Sequence, residues 1–192
     1  MKDALSLFLL TCPLLFSSNL TAQPKTFHVD TYTSEVIYDV AATHHHVHGY
    51  FHLREGLITF DPTAAKISGL VVVKAGSANS GEDIRDDKMK QDILDVPHFP
   101  LVTFAASSYK GALAPTGDST IQVTGTFTLH GTPHELTVPM QVHMEGSKCT
   151  AKAHFAVPYV QWGLKNPSNF IIKVSPEVNI DLTLIGVVLN VL

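Results

Sequence analysis

The sequence predicts an all-β domain with one short helix. Runs of alternating apolar and polar residues, separated by turns at hairpin spacing, indicate roughly eight antiparallel strands. One stretch, residues 81–100, departs from this alternation and has the pattern of a helix. Strands do not alternate with long helices and no internal repeat is present, so the strands are expected to form either a closed barrel or a two-sheet sandwich.

The first 22 residues have the pattern of a secretory signal peptide. Lys2 gives a charged start, residues 4–16 form an apolar core too short to span a bilayer, and Leu20-Thr21-Ala22 supplies a cleavage site. We therefore expect a periplasmic or secreted protein whose mature chain, residues 23–192, is one domain. Cleavage would remove Cys12, so no intrachain disulfide is expected.

Composition excludes several classes of protein. The 192 residues suffice for one domain with a substantial core, and a net charge of −4 has the wrong sign for a nucleic-acid partner. No Gly-x-Ser-x-Gly motif is present, and Cys149 lies in a predicted strand with no catalytic motif around it. We therefore expect no enzymatic activity, no nucleic-acid binding and no membrane span.

The first half of the chain supplies four predicted strands. Alternating apolar residues between Phe27 and Val40 mark the first strand, and two more follow at residues 47–52 and 56–60. The fourth strand, residues 69–75 (GLVVVKA), is so apolar that both of its faces are expected to be covered.

The predicted helix, residues 81–100, would close one end of the β-structure. Glu82 and Asp83 are acids where a first helical turn favours them. Ser80 is expected to cap the N-terminus, and Pro97 to end the helix.

The clearest strands lie at residues 121–129 and 134–144. Their apolar residues share one face and their polar residues the other, and the linker His130-Gly131-Thr132-Pro133 fits a tight hairpin. A long final strand is predicted over residues 170–189. Inward positions mix large and small side chains, which would leave room for a ligand if the sheet closes into a barrel.

Several short motifs follow one another along residues 26–192. They are His45, His48, Gly49 and Phe51; Gly56 to Pro62; Ser77 to Asn79 with Gly81; Arg85 and Asp86 with Met89 and Leu94; Phe99, Pro100 and Phe104; and the hairpin GTFTLHGTPHELTVP. In this order and spacing they resemble the YceI-like family of exported polyisoprenoid-binding proteins. The resemblance implies an eight-stranded antiparallel lipocalin-like β-barrel with a helix capping one end. It also implies a homodimer, although no strand indicates the interface.

The resemblance further implies a polyisoprenoid or isoprenoid quinone bound inside the barrel, with no other cofactor required. Such a chain needs only a dry apolar tunnel, because each buried CH₂ group contributes about 0.8 kcal/mol at best. The candidate lining residues from strands and helix are Val71, Val73, Ile84, Met89, Leu94, Phe104, Val123, Phe127, Met140, Phe155 and Ile180. The same alternation is typical of a filled core, in which case the barrel would serve only as an interaction scaffold.

Three polar or aromatic features have two interpretations each. Arg85 and Asp86 either orient a polar headgroup or, as is more common for such pairs, tie the helix to a neighbouring loop. Trp162 either flanks the barrel mouth or anchors a long loop.

The histidine-rich run HHHVH offers an alternative function, a periplasmic metal-binding barrel. On a strand, His44, His46 and His48 would point to one face, and imidazole nitrogens at this spacing bind Zn²⁺ or Cu²⁺. A fourth ligand would come from elsewhere, for example His130 or His134. The other interpretation is that these are structural or solvated polar residues.

Overall fold

The computed structural model describes residues 23–190, so the predicted signal peptide and Cys12 lie outside the described residues. A 3₁₀ turn at Ala75–Ser77 and a helical segment in two parts interrupt the succession of strands. The strands are β1 Lys25–Val29, β2 Glu35–Ala42, β3 His45–Phe51, β4 Leu53–Asp61, β5 Lys66–Lys74, β6 Leu101–Lys110, β7 Gly117–Leu129, β8 Thr132–Glu145, β9 Lys148–Val157 and β10 Val178–Asn190.

Eight of these strands close into an antiparallel barrel, as predicted. Their order is β1-β4-β5-β6-β7-β8-β9-β10, and the pairing of β1 with β10 joins the two ends. The architecture is therefore a barrel and not a two-sheet sandwich, although the strand pattern alone allowed both. Closure pairs the edge strands with each other, so the ring has no free edge.

The two remaining strands, β2 and β3, extend one side of the barrel. Residues 179–183 of β10 pair with β2, whereas residues 186–190 pair with β1. A turn in which the Asp30 carbonyl accepts the Ser34 N–H separates β1 from β2. The single first strand predicted between Phe27 and Val40 is therefore wrong, because the chain forms two strands that share β10.

The β7–β8 hairpin confirms the two predicted strands, but its turn is shorter than the predicted linker, because Thr132 and Pro133 already belong to β8. Ile121, Val123 and Leu129 are buried on the inner face of β7, and its outer face is mostly exposed. The connection consists of His130 and Gly131, both with positive φ, 50° and 72°. Two left-handed residues match the twist of the flanking strands, which is why such turns are favoured in hairpins.

Two other strand predictions have different outcomes. In β5, the neighbouring Val71 and Val72 are only 8% and 2% exposed, so both faces of that strand are covered as expected. The final strand begins at Val178 rather than residue 170, and the predicted start is wrong. Phe170 and Ile171 instead lie exposed in the connection between β9 and β10.

The helical segment consists of α1, Asp83–Lys88, followed by a π-helical turn at Met89–Ile93. It ends before Pro97. Glu82, not Ser80, is the N-cap residue, and it makes no side-chain cap hydrogen bond. No helix within residues 23–190 is long and apolar enough to cross a bilayer.

Candidate ligand-binding cavity

The barrel encloses a cavity of about 1060 Å³. Because side chains alternate across each strand, every second residue of the wall points inward. Gly125 of β7 shows why small residues matter here. A Cβ at this position would meet the ring of Phe104, at 2.8 Å, and the Ala105 carbonyl oxygen. The absent side chain lets the two strands and the Phe104 ring pack closely.

All eleven residues predicted to line a tunnel lie on this cavity. Eight come from β5 to β10, namely Val71, Val73, Phe104, Val123, Phe127, Met140, Phe155 and Ile180. Ile84, Met89 and Leu94 reach it from the helical segment and the residue after it. The eleven predicted residues therefore surround one cavity.

Sequence reasoning missed the wall contributed by β1 to β4. Apolar residues of these strands line the cavity as well: Phe27, Val36, Tyr38, Val40, Val47, Phe51, Ile58 and Phe60. Their alternation was visible in the sequence. The sequence pattern did not predict the pairing of β2 with β10. Because of this pairing, the β2–β3 hairpin forms part of the cavity wall.

One end of the cavity, which we call the mouth, is lined by the helical segment and by the loop that precedes β10; Ile93 and Leu94 of the first pack on the cluster that contains Leu164 of the second. Exposed residues on both sides also line the cavity, among them Ile84 and Lys88 on the helix and Lys165 and Asn169 on the loop. Most of the polar lining residues belong to these two segments, whereas aliphatic and aromatic side chains dominate the wall formed by the strands. This arrangement suits a long apolar molecule with a polar end.

One buried hydroxyl beside the cavity has no hydrogen-bond partner. Tyr38 is 3% exposed and lines the cavity, and its hydroxyl has no hydrogen-bond partner among the described residues. The hydroxyl lies beside Gly49, shielded from the cavity, with the Ser80 side chain nearby. Burial, and to a lesser degree the Asp86 carboxylate, raises the pKa of Tyr38 above its ordinary value, although Ser80 and Arg85 oppose this. The phenol therefore remains a neutral donor.

Arg85 and Asp86 both contact Ser80, in the segment that leads into the helix. The Arg85 guanidinium donates through Nε to the Ser80 hydroxyl (2.7 Å) and through Nη2 to the Ser80 carbonyl (3.0 Å). The Asp86 carboxylate accepts the Ser80 backbone N–H and hydroxyl. Arg85 also lines the cavity, so it combines a structural contact with a position near the mouth.

Trp162 packs in the loop that connects β9 to β10. Its ring stacks on His134 of β8, with centroids 4.2 Å apart and planes at 3°, and it approaches Phe127 at 5.6 Å. These contacts hold the loop against the β7–β8 wall, which is the anchoring interpretation of this tryptophan.

Cys149 of β9 also lines the cavity, and it is buried and free. Burial raises the pKa of its thiol from 9.0 to about 11. A thiol in such surroundings is unreactive at neutral pH.

The structure changes the predicted histidine set. His44 lies in the β2–β3 turn with a φ of 66°, and β3 begins at His45, so the placement of His44 on the strand face with His46 and His48 is wrong. Asp39 of β2 joins His46 and His48 in its place. The suggested fourth ligands lie elsewhere, since His130 packs on Phe99 and His134 on Trp162.

Known proteins resemble this chain in sequence and in structure. A UPF0312 protein of Pseudomonas putida F1 is 30% identical over 151 residues, which cover 73% of each chain. The crystal structure of Burkholderia cenocepacia BcnA aligns with a TM-score of 0.67 at 23% identity, covering 82% of this chain and 99% of BcnA.

A polyisoprenoid binding domain from Saccharophagus degradans, implicated in plant cell wall breakdown, aligns with a TM-score of 0.64 at 17% identity. The alignment covers 84% of this chain and 97% of that domain. At these identities the two structures establish the shared fold. The sequence model of the YceI-like domain matches residues 27–185, which span almost the whole barrel. The chain therefore belongs to the YceI-like domain family.

Proposed function

We propose that this protein is a non-catalytic carrier or store for one long isoprenoid chain, a polyisoprenoid or an isoprenoid quinone. The apolar cavity of about 1060 Å³ is the observation that carries the proposal. Its volume lies just above the range for small-molecule pockets, about 300–1,000 Å³, so it has room for a long chain.

The energetics favour a hydrocarbon tail over a polar ligand. A polar molecule would lose its hydration inside the barrel without finding partners, at a cost of roughly 1–3 kcal/mol per unpaired group. An isoprenoid tail gains about 0.8 kcal/mol for each buried CH₂ group, before ordering costs are deducted. The walls supplied by Val123, Phe127 and Met140 offer only this second kind of contact.

The relatives support the same ligand class by fold. The S. degradans structure is a polyisoprenoid binding domain, and it has this barrel architecture. The N-terminal signal pattern supports export, so we place the binding in the periplasm, where a lipid would need protection from water during carriage or storage.

The test is recovery and rebinding of the ligand. Protein purified from its native compartment is extracted with organic solvent, and the extract is identified by mass spectrometry. The stripped protein is then titrated with an isoprenoid quinone. We expect an isoprenoid in the extract and saturable binding with one ligand per barrel.

Two matched variants locate the binding inside the barrel. Ala151→Phe fills the cavity from β9, whereas Ala156→Phe adds the same side chain to an exposed position on the same strand. Only the first variant is expected to lose quinone binding. An empty extract together with no quinone binding, or equal binding by the two folded variants, would overturn the proposal.

A further inference from the structure

Two imidazoles converge on one carboxylate on the β2–β3 hairpin. The Nδ1 atom of His46 lies 3.0 Å from one oxygen of Asp39, and the Nδ1 atom of His48 lies 2.8 Å from the other. Asp39 and His48 are directly opposite each other in the strand register. The neighbouring Val40 and Val47 line the cavity, so the three polar side chains lie on the opposite, outer face of the hairpin.

This arrangement differs from the other histidine–aspartate pairs of the described chain. His98, His143 and His154 each contact one aspartate, at 2.8, 2.7 and 2.7 Å, and each of those aspartates has a single histidine. Each of these three contacts is explained as an ordinary surface pair of one histidine with one carboxylate. Asp39 has two, and among the described residues this group alone has three donors near enough to hold one ion.

The burial of the three side chains suits a site that is anchored yet open. The Asp39 side chain is only 17% exposed, whereas the His46 and His48 side chains are 59% and 69% exposed. The imidazole rings are nearly parallel, at 18°. Metal and water can therefore approach from solvent while the strand register holds the donors.

The donor distances are compatible with a single ion after small rotations. One donor atom from each side chain lies within 4.8 Å of the others. Ligands that each bind zinc at about 2.0–2.2 Å in tetrahedral geometry lie roughly 3.3 Å from one another. The ring centroids of His46 and His48 are 6.0 Å apart, so rotation about the side-chain bonds brings the nitrogens closer without moving the backbone.

We propose that Asp39, His46 and His48 bind one divalent transition metal ion, Zn²⁺ or Cu²⁺, on the outside of the barrel. Two imidazole nitrogens and one carboxylate oxygen form a donor set that suits these ions, and water would complete the coordination. The bound ion would replace the hydrogen bonds to Asp39 and link β2 to β3. The site is separate from the cavity and does not depend on the proposed lipid.

The experiment titrates protein without an affinity tag with Zn²⁺ alone, by isothermal calorimetry and by native mass spectrometry. His46→Ala and His48→Ala remove one ligand each from exposed positions. His143→Ala and His154→Ala remove histidines of similar exposure, each of which contacts an aspartate that has no second histidine. Circular dichroism establishes that every variant is folded.

We expect one Zn²⁺ per chain, with an affinity about tenfold or more lower in His46→Ala and His48→Ala. The His143→Ala and His154→Ala variants should bind like the unaltered protein. Absence of saturable zinc binding in the unaltered protein overturns the proposal. So does an equal loss in all four variants, which would indicate diffuse binding by surface histidines.

Discussion

The two carboxylate oxygens of Asp86 lie 3.0 and 2.9 Å from the backbone nitrogen of Ser80, which donates its N–H to them. This contact ties the first turns of the helix to the segment that enters it. Asp86 is 4% exposed, and it is the one buried charged side chain among the described residues. This buried carboxylate, together with the Arg85 guanidinium that also binds Ser80, thus fixes the helix that borders the cavity mouth.

Replacing Asp86 by Ala should lower the free energy of unfolding by about 1–3 kcal/mol, because the Ser80 N–H loses its acceptor in a partly buried place. Urea denaturation measures the change. Asp87→Ala is the matched control, since Asp87 is the next residue of the same helix and is exposed. Equal stability of the two variants would contradict the structural role given to Asp86.

Replacing Tyr38 by Phe should leave the free energy of unfolding unchanged or raise it, because the hydroxyl that is removed is buried and has no protein partner within residues 23–190. Tyr159→Phe is the matched control, since the Tyr159 hydroxyl donates to the Ser175 carbonyl at 2.8 Å. This second variant should lose about 0.5–1.5 kcal/mol of unfolding free energy, measured by urea denaturation. A larger loss in Tyr38→Phe than in Tyr159→Phe would contradict the unpaired state of the Tyr38 hydroxyl.

The Cys149 thiol should resist modification in the native protein. With its pKa at about 11 instead of 9.0, the thiolate fraction at pH 8 is about a hundredfold lower than for an ordinary thiol. Reaction with a chromogenic disulfide should therefore be slow in buffer and fast in denaturant. The Cys149→Ala variant reports any signal from another thiol, and fast native labelling that requires Cys149 would contradict its burial.

The same raised pKa predicts how stability depends on pH. Between pH 9 and pH 11 the unfolded chain loses the Cys149 proton while the folded chain keeps it, so the folded state binds more protons and its stability falls as pH rises. Chemical denaturation at a series of pH values should show a steeper fall for the unaltered protein than for Cys149→Ala. Parallel curves would contradict this prediction.

Much of the barrel was determined by local patterns. The alternation of Ile121, Val123 and Leu129 specifies a strand and its inner face, since side chains of a strand point alternately to either side. His130 and Gly131 specify the turn that follows, because Gly tolerates the left-handed backbone that a two-residue hairpin needs. The cavity residues of β5 to β10 follow from the same period.

Contacts between distant segments were decided by the tertiary structure. The change of partner along β10, from β2 to β1, depends on closure of the whole ring and left no mark in the local pattern around residue 184. The meeting of Asp39 with His46 and His48, and the exclusion of His44, depend on where the β2–β3 turn falls. Alternation specifies which face a residue occupies, whereas the register of strand pairing decides which residue lies beside it, and register is a property of the closed sheet.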